Sequence, residues 1–201
     1  MKGMIAALLV VLFCSVLPAA EPALTPEERA KAVKLLRDSQ KEFLDAVEKL
    51  SEAQWAYKPA AERWSVAEVA EHIMLSEVLI FGRVEKALAE KPNPEWEAKT
   101  AGKTEILERA LPNRERKAQA PEALKPQGKW TKAEILSRFK EARAKTLKFA
   151  EETNAPLKQH TQDNPFFGTL NAYQWLIYVP LHNIRHDQQI AEVKADAGFP
   201  K

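Results

Sequence analysis

The chain has 201 residues, 45% of them hydrophobic, which suits one soluble domain with a core of its own. Its 30 basic and 28 acidic residues are scattered in mixed order and leave a net charge of only +2. No single-sign face results, which argues against nucleic acid or an anionic membrane as a partner.

Residues 1–20 read as a secretory signal peptide. Lys2 precedes an apolar run from Met4 to Leu17, and the small residues Ala19 and Ala20 follow at the expected cleavage point. The run is short for a stable membrane span. An uncleaved anchor and a lipoprotein acylated on Cys14 are the alternatives, and the bulky Phe13 before that cysteine disfavours the second. The expected product is a secreted or periplasmic domain spanning residues 21–201. Cleavage removes Cys14, the only cysteine, so any metal in the mature chain must be held by nitrogen and oxygen.

The first helix opens at a capping box, Thr25 with Glu28, has Pro26 at its first position, and carries Ala32, Leu35, Leu36, Phe43, Val47 and Leu50 at helical spacing. A link rich in aromatic residues, SEAQWAYKPAAERW, leads to a second capping box at Ser65 and Glu68. There Val66, Val69, Ile73, Ile80, Phe81, Val84 and Leu88 make an apolar stripe, predicting a helix to about Ala89. From Lys91 to Lys129 five prolines break the pattern, with one short helix expected around Glu105 to Ala110. A connection this long inside one domain is explained by a crossover between helices that point the same way.

Thr131 and Glu134 cap a third helix running to about Glu152, and a loop from Thr153 to Gly168 follows. The fourth helix starts after Thr169 or Asn171 and ends before Gly198; its internal Pro180 removes a backbone hydrogen bond and predicts a bend. The fold class is therefore all-α: a four-helix bundle with a long crossover between the second and third helices.

Two of the four histidines, His182 and His186, stand four apart in the fourth helix. At about 3.6 residues per turn both imidazoles share one face. Such a pair can hold a divalent metal if another element brings a third ligand. His72, at the margin of the second helix's apolar stripe, is the candidate. His160, in a loop beside Lys158 and Gln159, reads as a solvated residue. Glu68 lies one turn before His72 and either caps the helix or orients that ring; Gln189 is placed to bond His186; Arg185 and Asp187 read as a surface salt-bridge network. Trp175 and Tyr178 either wall a pocket or belong to the core. Asn183 stands where a zinc protease of the HExxH type has its glutamate, so peptide hydrolysis is not implied.

The segments RWSVAEVAEHI, APEALKPQGKWTKAEIL, PFFGTLNAYQWL and HNIRHDQQI, in this order, resemble the DinB-like superfamily across about the whole mature chain. Its members include metal-dependent hydrolases and thiol-dependent transferases of the YfiT type. The resemblance implies a three-histidine site made of His72, His182 and His186, with zinc, nickel or iron as the divalent metal ion, and a small-molecule substrate or thiol as partner. It also admits a homodimer. Three readings stay open: a metal-dependent hydrolase or thiol-dependent transferase, a non-enzymatic metal or small-ligand binding bundle of a stress-related kind, and histidines that merely pack. Because imidazole binds metal only when neutral, affinity is expected to fall as the pH drops through about 6.5.

Overall fold

The computed structural model describes residues 24–115 and 119–201; the expected signal peptide lies outside them. Four long helices dominate: α1 (Pro26–Val47), α3 (Val66–Ala89), α6 (Lys132–Glu152) and α7 (Ala172–Lys194). Each begins at a complete capping box, closed by Thr25 with Glu28, Ser65 with Glu68, Thr131 with Glu134, and Asn171 with Gln174. They pack in a ring in which α7 touches α1 and α3, and α6 touches the same two on the other side. Helix α7 runs unbroken across Pro180.

The connections hold more structure than their composition announced. The aromatic link contains α2 (Glu52–Ala56), capped by Ser51, with Trp55 buried. Between α3 and α6 lie α4 (Trp96–Thr100), α5 (Lys103–Ala110) and a 3-10 turn at Glu122–Leu124, where one short helix was expected. Gly102, at φ +70°, joins α4 to α5 in the left-handed conformation that glycine adopts without strain. The loop before α7 is not purely irregular either: β1 (Thr161–Asn164) and β2 (Gly168–Asn171) form a small antiparallel hairpin in an otherwise helical fold, where the all-α expectation had only a loop. Its turn is built by the Asn164 side chain, which accepts from the Phe166 and Phe167 amides at 2.8 and 3.1 Å, and by Gly168 at φ +65°. The strands TQDN and GTLN are too short and too polar to show an alternating pattern. Lys103 ties the hairpin to α5 by donating to the carbonyls of Phe167 and Thr169.

The apolar core is in two parts. One joins Leu36, Ile80, Phe81, Val84, Leu176 and Ile177; the other joins Phe43, Val69, Ile73, Ile135, Phe139 and Ile190. Between them sits Arg143 of α6, fully buried. All five of its N–H donors are used. It grips the Glu77 carboxylate of α3 with two bonds of 2.7 and 2.8 Å and donates to the Leu36 carbonyl, to Ser39 Oγ at 2.8 Å and to Asn183 Oδ1 at 2.9 Å. One side chain thereby links all four long helices.

Removing one partner of such a pair leaves the other charge buried and unmatched, at a cost of about 3–5 kcal/mol. Arg143→Met should lower unfolding free energy by about that amount in urea titration, and adding Glu77→Leu should recover most of the loss.

Candidate metal centre

The Ser65–Glu68 cap sets where α3 begins, and so where His72 falls on its second turn. The carboxylate of Glu68 accepts from the Ser65 amide at 2.7 Å and from Lys58 at 2.9 Å, so it caps the helix; it is not among the groups bonded to His72. Instead His72 Nδ1 donates to the Leu124 carbonyl at 2.8 Å, across the segment joining α5 to α6. Glu71 pins that segment from the neighbouring position, accepting from the Gln127 and Gly128 amides at 2.7 and 2.9 Å.

Across from His72, α7 presents His182 and His186. The three ring centroids stand 4.4 to 5.2 Å apart, and one nitrogen from each ring lies within 4.8 Å of the others. His72 and His186 are buried, and His182 is half-buried. Trp64 packs on His72 at 5.1 Å, and Tyr178 stacks on His182 at 6.1 Å with planes 23° apart. Trp175 is core, its indole N–H donating to the Gln162 carbonyl.

The decisive contact is between His72 Nε2 and His186 Nε2, 3.2 Å apart. His72 carries its hydrogen on Nδ1, facing a carbonyl that can only accept. His186 Nδ1 faces Gln189 Oε1 at 2.8 Å and is placed likewise. In neutral rings the two Nε2 lone pairs then point at each other with no hydrogen between them. A shared cation removes that repulsion. Nitrogens bound to one ion at about 2.0–2.1 Å and a near-tetrahedral angle stand about 3.3–3.4 Å apart, close to the spacing found.

A proton is a poor occupant for this space. Burial lowers the pKa of His72, with the Leu124 bond opposing it, and drives His186 down to about 3. His182 is pushed well below its ordinary value by burial, then by the neighbouring His186 and His72 and by Arg185. Each ring therefore takes up a proton less readily than an ordinary histidine and stays neutral to lower pH.

Two side chains, His160 and Asp187, are not where their surroundings in sequence placed them. His160 is buried, with Nδ1 donating to the Glu90 carbonyl at 2.9 Å, and fastens the loop before β1 to the end of α3. Asp187 is buried and accepts from Asn183 Nδ2 at 3.0 Å on both oxygens, extending the Arg143 network. Burial, then the charge of Glu42, pushes its carboxyl up to about 8. Arg185 is half-buried and donates to the Leu111 and Asn113 carbonyls. An amphipathic pattern cannot show these fates, because the groups that bury the side chains come from distant segments. Trp64, Leu124 and Arg114 were not read from the sequence as neighbours of the histidines; a backbone carbonyl such as that of Leu124 leaves no trace in it at all.

A ring of four long helices carrying converging imidazoles defines a helical protein with a histidine-built centre. Residues 35–190 match the model of the DinB superfamily, and the chain belongs to that superfamily. It is 26% identical over 165 residues to the uncharacterized protein YuaE of Bacillus subtilis, covering 80% of this chain and 95% of that one. It also superimposes on the solved structure of YfiT from Bacillus subtilis with a TM-score of 0.58 and 15% identity, over 88% of this chain and 91% of that chain. YfiT is described as "a probable metal-dependent hydrolase with an unusual four-helix bundle topology".

The buried groups give the metal-free protein a defined pH dependence. The histidines have folded pKa values below the unfolded 6.5, so their contribution to stability is whole above that pH and is lost as the pH falls toward about 3 for His186. Asp187 has the opposite sign. Its folded value of about 8 exceeds the unfolded 3.8, so its contribution is present at low pH and lost as the pH rises to about 8. Three histidines outweigh one aspartate on the acid side, and the aspartate alone acts from 6.5 upward. Urea midpoints should peak near pH 6.5. His186→Gln should make the acid limb shallower, and Asp187→Asn should flatten the alkaline one.

Proposed function

We propose that this is an exported metal-dependent enzyme in which His72, His182 and His186 hold one divalent ion, with hydrolysis as its reaction. In this reading residues 91–129 are the crossover of a four-helix bundle. The observation that carries the proposal is the approach of His72 Nε2 and His186 Nε2 to 3.2 Å, with an oxygen facing Nδ1 of each ring. The description of YfiT as a metal-dependent hydrolase supports it. Imidazole ligands suit zinc, nickel or iron.

When bound, such an ion supplies a Lewis acid that polarises a carbonyl and lowers the pKa of water or a thiol beside it. The protein's part is to keep the rings neutral, to orient them and to limit water. Leu124 and Gln189 orient two of the rings through their Nδ1 atoms. Trp64 and Tyr178 cover the outer faces of His72 and His182. His182, the most exposed of the three, marks the side from which substrate arrives.

One observation favours thiol-dependent transfer as a second reading. Among the described residues, the charges that act on His182 and His186, apart from the rings themselves, include the guanidiniums of Arg185 and Arg114. Cations beside the rings suit an incoming thiolate.

Protein prepared without a histidine tag should carry one divalent ion per chain, and His72→Ala or His182→Ala should abolish it. Zinc affinity should stay nearly level as the pH passes through about 6.5 and fall only in more acid solution. Turnover in a panel of esters, amides and thiol-conjugation substrates should be lost on chelation. Turnover of esters or amides without added thiol supports the hydrolase, and turnover only with thiol supports the transferase. A wild-type protein that takes up none of the three metals would overturn both.

A further inference from the structure

We infer that Arg114 is a positioning residue for this centre: acting through Gln189, it holds His186 in the tautomer whose bare Nε2 faces His72. The inference rests on the metal reading above. Arg114 belongs to the segment joining α5 to α6 and reaches across to α7. Its Nε and Nη2 grip the Glu192 carboxylate at 2.7 and 2.9 Å, which fixes the plane of the guanidinium. Its Nη1 then donates to Gln189 Oε1 at 3.2 Å, and that same oxygen accepts from His186 Nδ1 at 2.8 Å.

The logic lies in the donor inventory. A glutamine amide has an accepting end and a donating end and can present either to its neighbours, whereas a guanidinium can only donate. Turning the Gln189 amide over would set N–H against N–H at Arg114. The oxygen is therefore kept where Arg114 and His186 meet, and His186 must place its hydrogen on Nδ1. His72 needs no such device, because the Leu124 carbonyl that orients it belongs to the backbone and has no donating end.

The alternative that Arg114 suppresses is an attractive one. With the amide reversed, Gln189 would donate to Nδ1, and the His186 hydrogen would move to Nε2. At 3.2 Å that Nε2 would donate straight to His72 Nε2, making a hydrogen bond that closes the space between the rings. Arg114 holds this closed arrangement at bay and leaves two lone pairs free for one ion.

The test combines the ring-nitrogen NMR shifts of the metal-free protein with zinc affinity measured by competition against a chromophoric chelator. Wild-type His186 should be the Nδ1–H tautomer. Arg114→Ala should move it toward Nε2–H and weaken zinc binding by about 10- to 100-fold, the usual scale for groups that orient a ligand. Adding Gln189→Glu to Arg114→Ala should restore both readouts, because a carboxylate offers only acceptors. Glu192→Gln, which weakens the ion pair but leaves Nη1 on Gln189, should leave the tautomer unchanged.

An unchanged tautomer in Arg114→Ala, or a loss of affinity that Gln189→Glu does not repair, would overturn the proposal and reduce Arg114 to a tie between the segment and α7. If the wild-type protein binds no metal, the metal reading fails while the tautomer still decides the role of Arg114.

Discussion

The Arg143–Glu77 pair is the constraint on which the rest depends. Two charges are taken out of water in the middle of the molecule, and that is tolerable only if every donor and acceptor is matched. Matching five N–H groups requires α1, α3 and α7 to stand at one height and rotation around α6. Apolar clusters on either side supply the driving force for packing, but leucine and valine contacts tolerate sliding that a five-bond guanidinium does not. Asn183, which accepts from Arg143, lies between His182 and His186 in sequence, so the network that registers α7 also sets the direction in which its histidines point.

Around the histidines the protein uses two kinds of support. Helices α3 and α7 bring the rings together, and the segment between α5 and α6 decides which nitrogen His72 and His186 turn inward. Leu124 does so by its carbonyl and Arg114 by its guanidinium, while Glu71 and Arg185 fasten the same segment to the helices. The centre is thus assembled from both sides at once. Its geometry depends on the docking of a stretch that contributes no imidazole.

The long helices were legible because their signals are local. A capping box spans three residues, and an apolar stripe repeats within a few turns, so Thr25, Ser65 and Thr131 each marked a start that the structure keeps. The i, i+4 spacing of His182 and His186 is read with equal directness. The hairpin before α7 was hidden, since its turn depends on one asparagine side chain and one glycine and its strands lack alternation. The burial of His160 and Asp187 was hidden for another reason: what covers them comes from the end of α3 in one case, and from the polar layer of the core in the other.

The sequence by itself determined the four long helices, the starts of three of them and the shared face of two histidines, because each follows from interactions within a few residues of chain. It also nominated His72 by its place beside an apolar stripe. Only the tertiary structure decided that the three rings converge, that burial lowers their pKa values, and that the Nε2 atoms of His72 and His186 face each other at 3.2 Å. Those facts depend on carbonyls, a guanidinium and buried charges drawn from segments far apart in the chain. Their contact is set by packing, to which local periodicity is blind.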